Sequence, residues 1–366
     1  MSNFTAVSDH IKYMERCFEI AEKGRGQVAP NPLVGSVIVE NARPGDPPDS
    51  YRDGRKKIIG EGYHQKYGEA HAEVNAIASL PENYDFTNCT LYVNLEPCSH
   101  YGKTPPCSDL IVSKKFKTVV VCNLDSNPLV AGKGLEKLRN AGIEVISGIL
   151  EKEGRELNKR FFTFHEKKRP YIILKWAQTK DGFISKLSIP SDKEENWITS
   201  PESKILVHKW RAEEQAILVG TNTVLNDNPE LTTRLVEGKD PIRIVIDREL
   251  KITSSAKVFA NKGQCIVYTE KQKSDFDNIR FRTISFGEGF TQRLLTDLHS
   301  LNIQSLIIEG GSQTLNSFIT KGLWDEARVF VGDKLFDEGV KAPEFDLSSI
   351  ESQIIGTDKL YWKQNS

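Results

Sequence analysis

Cysteine is scarce. Six in 366 residues cannot staple a chain of this length, which excludes a disulfide scaffold. Cys17, Cys89, Cys122 and Cys265 read instead as packing residues of a reducing compartment. No apolar run approaches the roughly 20 residues of a membrane-spanning helix, so no membrane partner is expected. The stretch Met1 to Thr5 lacks the charged lead and apolar run of an export signal. There is no excess of one charge either: the net value is −1, which argues against a strongly basic nucleic-acid surface. Internal repeats and low-complexity tracts are missing. What remains is the expectation of a cytoplasmic globular protein. Its hydrophobic share of 38% is enough for two cores, in keeping with the usual length of a domain.

What is there begins with His71-Ala72-Glu73 and with Pro97-Cys98 followed by Cys107. One imidazole and two thiolates can hold zinc and leave a fourth tetrahedral position to water, the pattern of a catalytic rather than a structural site. His71, Cys98 and Cys107 are the expected metal ligands. Glu73 is the expected general base, taking a proton from water and returning it to a ring nitrogen or leaving amine. The alternating run 91–96 predicts a strand that delivers Cys98 at its carboxyl end. Thr104-Pro105-Pro106 predicts an N-cap and a first helical turn containing Cys107. His71 opens a predicted helix over 72–80. His-x-Glu with a later Pro-Cys and a second Cys is the signature of zinc nucleobase deaminases.

Eight residues separate the two cysteines, and the stretch from Glu96-Pro97-Cys98 to Pro105-Pro106-Cys107 resembles the deaminase half of the riboflavin-biosynthesis deaminase–reductases. That resemblance implies that the insert helps bind a phosphoribosyl substrate, with Lys103 and Thr104 as phosphate contacts and His100 lining the pocket. It also implies that Asn31, in Ala29-Pro30-Asn31-Pro32, touches the pyrimidine, and it makes Asp125 and Asn127 candidates on the substrate side. Residues 41–57, rich in Pro, Gly, Asp and Arg, read as a surface excursion. His64 reads as structural or pocket-lining. The charged run 151–169 reads as a linker, which divides the chain into 1–150, the linker, and 170–366.

The second half restarts with predicted strands over 171–176, 216–220, 241–247 and 305–309, and a helix after Ser200-Pro201. Gly310-Gly311 between a strand and a helix offers backbone N–H groups to a phosphate. Together with 220–234 it is similar to the reductase half of the same family. The resemblance then covers nearly the whole chain. It implies an α/β architecture: an N-terminal cytidine-deaminase-like three-layer α/β/α domain followed by a C-terminal dihydrofolate-reductase-like α/β domain. Carried over position by position, it implies NADPH contacts at Gln178, Trp197, Thr223, Asp227, Arg248 and the loop Gly311, Ser312, Gln313, Thr314, Leu315, Asn316 and Ser317. It implies substrate contacts at Arg211, Leu231, Arg234 and Glu309. The family usually has a small residue in place of Gln178, an apolar one in place of Lys180 and a serine near Glu195, so the nicotinamide pocket departs from its pattern.

The implied function is bifunctional. Zinc-dependent deamination of a diaminopyrimidinone ribosylamino 5′-phosphate would be followed by NADPH-dependent reduction of the ribosyl chain to ribityl. The substrate is thus a phosphorylated small molecule, and the family suggests a homodimer. Three other readings are weighed against this one: a nucleic-acid base deaminase with an appended binding domain, a zinc-stabilised interaction protein, and a deaminase with an inactive reductase half.

Overall fold

The structure is a computed structural model that describes residues 2–41, 57–101, 105–127, 131–187, 196–260 and 262–365. The expected Lys103 and Thr104 contacts and most of the 41–57 excursion lie outside the described residues. Two compact units divide at Lys167/Lys168.

The first unit contains α1 (Ser2–Ala21), β1 (Gly35–Glu40), β2 (Lys57–Tyr63), α2 (Ala72–Ala78), β3 (Cys89–Leu95), α3 (Cys107–Ser113), β4 (Thr118–Asn123), α4 (Lys133–Asn140) and β5 (Glu144–Ser147). It closes with α5 (Glu151–Leu157) and α6 (Lys159–Lys167). Its sheet runs β2-β1-β3-β4-β5. The β1 pairings are antiparallel, whereas β3, β4 and β5 run parallel. One face packs Tyr13, Met14, Cys17 and Ile20 of α1 on Val37, Val39, Tyr92 and Val120. The other carries Ala76, Ile77, Ile111, Leu135 and Leu138 from α2, α3 and α4 on Ile38, Leu91, Val93 and Val119. Strand residues therefore alternate between two buried faces, which is the three-layer arrangement. The close seating of α2 needs glycine on the strand beneath it, since a Cβ on Gly62 would lie 2.2 Å from the Ala76 nitrogen.

The charged run 151–169 is not an extended linker. It folds into α5 and α6, and Phe161, Phe162 and Phe164 are buried. The high average charge of the segment conceals this apolar stripe, and its burial outweighs the solvation of its neighbours.

The second unit contains β6 (Tyr171–Gln178), β7 (Phe183–Ser185), α7 (Pro201–Glu213), β8 (Ala216–Gly220), α8 (Thr221–Asp227), β9 (Ile242–Ile246), α9 (Lys257–Ala260), β10 (Cys265–Thr269) and β11 (Ile279–Thr283). There follow α10 (Phe290–Ser300), β12 (Ser305–Ile308), α11 (Ser312–Ile319), β13 (Glu326–Val331), β14 (Val340–Lys341), β15 (Ser352–Ile355) and β16 (Asp358–Gln364). The sheet order is β11-β10-β9-β8-β12-β6-β13-β16-β15, with β7 and β14 as a separate pair. All strands from β11 to β13 are parallel; β16 and β15 add antiparallel. Helices cover both faces, so the parallel strands carry continuous apolar runs such as 216–219 and 306–308. From β8 the chain winds outward through β9 to β11, while from β12 it crosses to β13 on the far side of β6. The connections after β8 and β12 therefore diverge and open a crevice at their carboxyl ends, where ligands of open α/β sheets bind.

Candidate functional site

In the first unit, β3 and α2 bring the two motifs together. His71 is the N-cap of α2 in extended conformation, φ −74° and ψ 166°. Its ring leaves the helix before the first turn, and Glu73 follows on the second helical residue. Cys107 opens α3 directly. The helix begins after the two prolines rather than enclosing them, because Pro106 has ψ 131° and a residue before proline, here Pro105, avoids the helical region. The Cys107 N–H, an orphan of the first turn, donates to Cys98 Sγ at 3.3 Å.

His71 Nδ1 lies 3.6 Å from Cys98 Sγ and 3.3 Å from Cys107 Sγ, and the three ligand atoms all fall within 4.8 Å of one another. A tetrahedral zinc with nitrogen at about 2.0–2.1 Å and sulfur at about 2.3 Å sets each N···S edge at about 3.5 Å. The donor set fits the ion in geometry as well as in chemistry. Among the described residues no other group of three such side chains converges in this way.

The ionisable groups of the triangle perturb one another strongly. The Cys107 thiol and the His71 ring both bond to Cys98, pulling its thiol down to about 4. Cys107 is pushed up by that same bond to Cys98 and by burial. His71 is raised by its bond to Cys98. Glu73 is only 3% exposed, and burial raises its carboxyl above the ordinary value. That shift moves it toward the working range of a proton shuttle.

Asn31 belongs to the same site. Its Nδ2 donates to His64 Nε2 at 3.0 Å, while His64 Nδ1 lies 3.0 Å from the Ala70 carbonyl. The proton on His64 is therefore on Nδ1, and burial keeps the ring neutral. The His64 ring meets that of His71 edge-on at 5.4 Å. Asp125, at the carboxyl end of β4, is pushed up to about 7 by burial and by the charges of Glu96 and Cys98.

In the second unit the crevice is lined by glycine because two backbones pass at van der Waals distance. A Cβ on Gly310 would lie 2.7 Å from Val219 Cα, and one on Gly220 would lie 2.9 Å from Thr314 Oγ1. Gly311 takes φ 36°. Thr223 borders it, its Oγ1 3.5 Å from where a Gly311 Cβ would stand. Of the expected cofactor loop, Gly311, Ser312, Gln313 and Thr314 form the open first turn. Leu315 does not: its side chain is in the core and its N–H donates to Gly311 O. Asn316 Oδ1 accepts from Glu344 N, and Ser317 Oγ donates to Thr314 O. These three lie beyond the turn in which helix N–H groups are free. Gln178 ends β6 on the same sheet edge, its Oε1 accepting from Trp176 Nε1. Asp227 ends α8. Trp197 is half exposed under the Lys204 ammonium. Arg248 lies just past β9 with its Nε on Glu270 at 2.7 Å.

The expected substrate contacts form one cluster around Glu309, which directly follows β12. Arg211 grips that carboxylate through two nitrogens at 3.1 and 2.7 Å and also donates to Thr232 O. Lys175, mostly buried and missed by sequence reasoning inside an apolar strand run, stands 3.8 Å from Glu309. Its signal was a single lysine among the five apolar or aromatic residues of the run Tyr171 to Trp176. Burial alone would raise Glu309, but Arg211 and Lys175 outweigh it and hold the carboxyl at about 2. Burial in turn lowers Lys175. His208, brought down to about 4 by burial and the neighbouring arginines, accepts the Arg234 N–H on Nδ1. The Arg234 side chain is largely exposed, and Leu231 is buried at φ 57°.

Comparison with known proteins agrees with both units. Residues 51–123 match the family model of the cytidine and deoxycytidylate deaminase zinc-binding region, and residues 170–353 match that of the RibD C-terminal domain. The riboflavin biosynthesis protein RibD of Aquifex aeolicus is 43% identical over 93% of this chain and 92% of its own length. That of Escherichia coli is 36% identical over 88% and 87%. A crystal structure from Thermotoga maritima, described as a diaminohydroxyphosphoribosylaminopyrimidine deaminase/5-amino-6-(5-phosphoribosylamino)uracil reductase, superposes with a TM-score of 0.83 at 35% identity, covering 99% of this chain and all of that one. Acinetobacter baumannii RibD superposes at 0.84, with 31% identity over 98% and 99% of the chains. The chain belongs to the RibD family of riboflavin-biosynthesis proteins, and joins a zinc-binding deaminase unit to an NADPH-dependent reductase unit.

Proposed function

We propose that the first unit deaminates a diaminopyrimidinone bearing a ribosylamino 5′-phosphate, and that the second reduces its ribosyl chain to ribityl. The observation that carries this is the coexistence, in one chain, of the ligand triangle beside a buried Glu73 and the glycine-lined crevice beside Glu309. His71, Cys98 and Cys107 would hold zinc. When bound, zinc supplies Lewis acidity that makes water a nucleophile at neutral pH. Glu73 takes the proton of the attacking water and delivers it first to the ring nitrogen and then to the departing amine. Asn31, oriented by neutral His64, donates to the pyrimidine.

In the second unit, the first turn of α11, with Gly311 to Thr314, receives the phosphates of NADPH, and Arg248 takes its 2′-phosphate. Gln178, Trp197, Thr223 and Asp227 complete the cofactor site. Three of Arg211's donors are committed to Glu309 and Thr232. Arg234 is therefore the freer guanidinium and carries most of the grip on the substrate phosphate, with Leu231 packing beside it. Glu309 faces the ribose, with Lys175 as its second counter-charge. Burial of these charges lets them align sugar carbon and hydride with little reorganisation. The working form is a homodimer joined through the reductase unit and acts in the cytoplasm on small molecules rather than nucleic acid.

Mass spectrometry of products from the phosphoribosylated diaminopyrimidinone tests the assignment. Without NADPH only the deaminated compound should accumulate; with NADPH, its ribityl derivative. Recovery of unchanged substrate in both would refute it.

A further inference from the structure

Glu96, the residue before Pro97-Cys98, is used neither by the metal ligands nor by the proton shuttle. It is 4% exposed, and its carboxylate accepts four backbone N–H groups. Oε2 takes those of Asp125 at 3.2 Å and Gly132 at 2.9 Å; Oε1 takes those of Gly134 at 2.9 Å and Leu135 at 3.3 Å. Gly132 is the N-cap of α4, so three of the four are donors that a helix start leaves without partners. The capping anion thus comes from another strand, where the helix dipole favours it. The backbone adds to the junction: Glu96 N donates to Asn123 O at 2.9 Å. A Cβ on Gly134 would stand 2.1 Å from Pro97 O.

Two consequences follow from this wiring. The turn Asp125–Asn127, closed by Asp125 Oδ1 on Asn127 N at 2.7 Å, is tied to the strand end that delivers Cys98. Within that turn Ser126 Oγ is buried with no hydrogen-bond partner, although buried hydroxyls nearly always have one.

We propose that Glu96 is a positioning residue of the deaminase site. It touches neither metal nor substrate, but holds the 125–127 turn and the start of α4 in register with the strand end that delivers Cys98, so that the turn can meet the pyrimidine substrate. This rests on the deaminase reading of the His71–Cys98–Cys107 site. Charge-assisted bonds to N–H groups are strong and directional, so losing two or four of them should loosen the turn and weaken substrate binding while leaving the metal ligands in place.

The test compares full-length Glu96→Gln and Glu96→Ala with wild type. Zinc content and NADPH-dependent reduction of the deaminated compound should stay at wild-type values. KM for deamination should rise about tenfold in the Gln variant and further in the Ala variant, with kcat changing less. Amide hydrogen exchange at Gly132 and Gly134 should quicken in the same order. Wild-type KM in both variants would overturn the proposal, as would zinc loss in proportion to lost activity, which would make Glu96 a support of the metal loop only. If Glu96→Ala does not fold, Gly132→Ala serves as the second variant. It opposes a φ of +86° with a Cβ that meets nothing within 4 Å; a raised KM supports the proposal and an unchanged one overturns it. A wild-type chain that does not deaminate at all would overturn the reading of the site, and the proposal with it. Wild-type deamination with unaltered variants would overturn the proposal alone.

Discussion

Replacing Glu309 by glutamine keeps the shape of the side chain and removes the one negative charge that Arg211 and Lys175 share in the reductase unit. The folded carboxyl sits at about 2, against 4.5 for the free group. A depressed carboxylate contributes stability that is fully present above the unfolded pKa and is lost as pH falls through the folded one. The whole contribution is about 3 kcal/mol, and about 2 kcal/mol of it is gone by pH 3. Glu309→Gln should lose it at neutral pH and also leave two mostly buried cations without their partner, a total cost of about 3–5 kcal/mol. All five tryptophans, at positions 176, 197, 210, 324 and 362, belong to the second unit. Intrinsic tryptophan fluorescence during urea unfolding therefore reports that unit selectively. The expected result is a lower midpoint for the variant at pH 7, with the gap to wild type narrowing between pH 4.5 and pH 3. A gap that stays constant across that window, or an unchanged midpoint at pH 7, would refute the assignment of Arg211 and Lys175 as the counter-charges of Glu309.

Glu73→Gln should retain zinc and lower deamination by about 10²–10⁴-fold, leaving reduction unaffected; surviving deamination would remove Glu73 as the proton carrier. Metal analysis should find about one zinc per chain. Because Cys107 is held as a thiol by Cys98 and by burial, zinc uptake should release protons, seen as a buffer-dependent heat in titration calorimetry; a heat independent of buffer would contradict this. Arg234→Ala should raise KM for the phosphorylated substrate of the reductase by about 10–100-fold and leave NADPH affinity unchanged; equal losses for both would count against the phosphate assignment. Gly310→Ala, whose Cβ would lie 2.7 Å from Val219 Cα, should cost about 1–3 kcal/mol by overpacking, read by tryptophan fluorescence with deamination intact.

The zinc-deaminase character of the first unit is legible in the residues alone, because it resides in residue types at short spacing. His71, Glu73, Cys98 and Cys107 sit at strand and helix ends that local patterning predicts, and proline and glycine punctuate the same places. Local patterning also placed the strands 171–176, 216–220 and 305–309, whose mostly apolar runs reflect burial on both faces. What it could not supply was partnership across distance. The apolar stripe of α6 is diluted by charge in any window average, so a packed helix read as a linker. Lys175 is one lysine in a strand until Glu309 and Arg211 arrive from 134 and 36 residues away. Glu96 looks like a strand terminus until α4 lays its N–H groups on it from 36 and more residues downstream. These pairings emerge on folding, because the hydrophobic burial that forms each sheet is indifferent to which charged groups it brings together. The directed bonds that fix them exist only once the strands are in register.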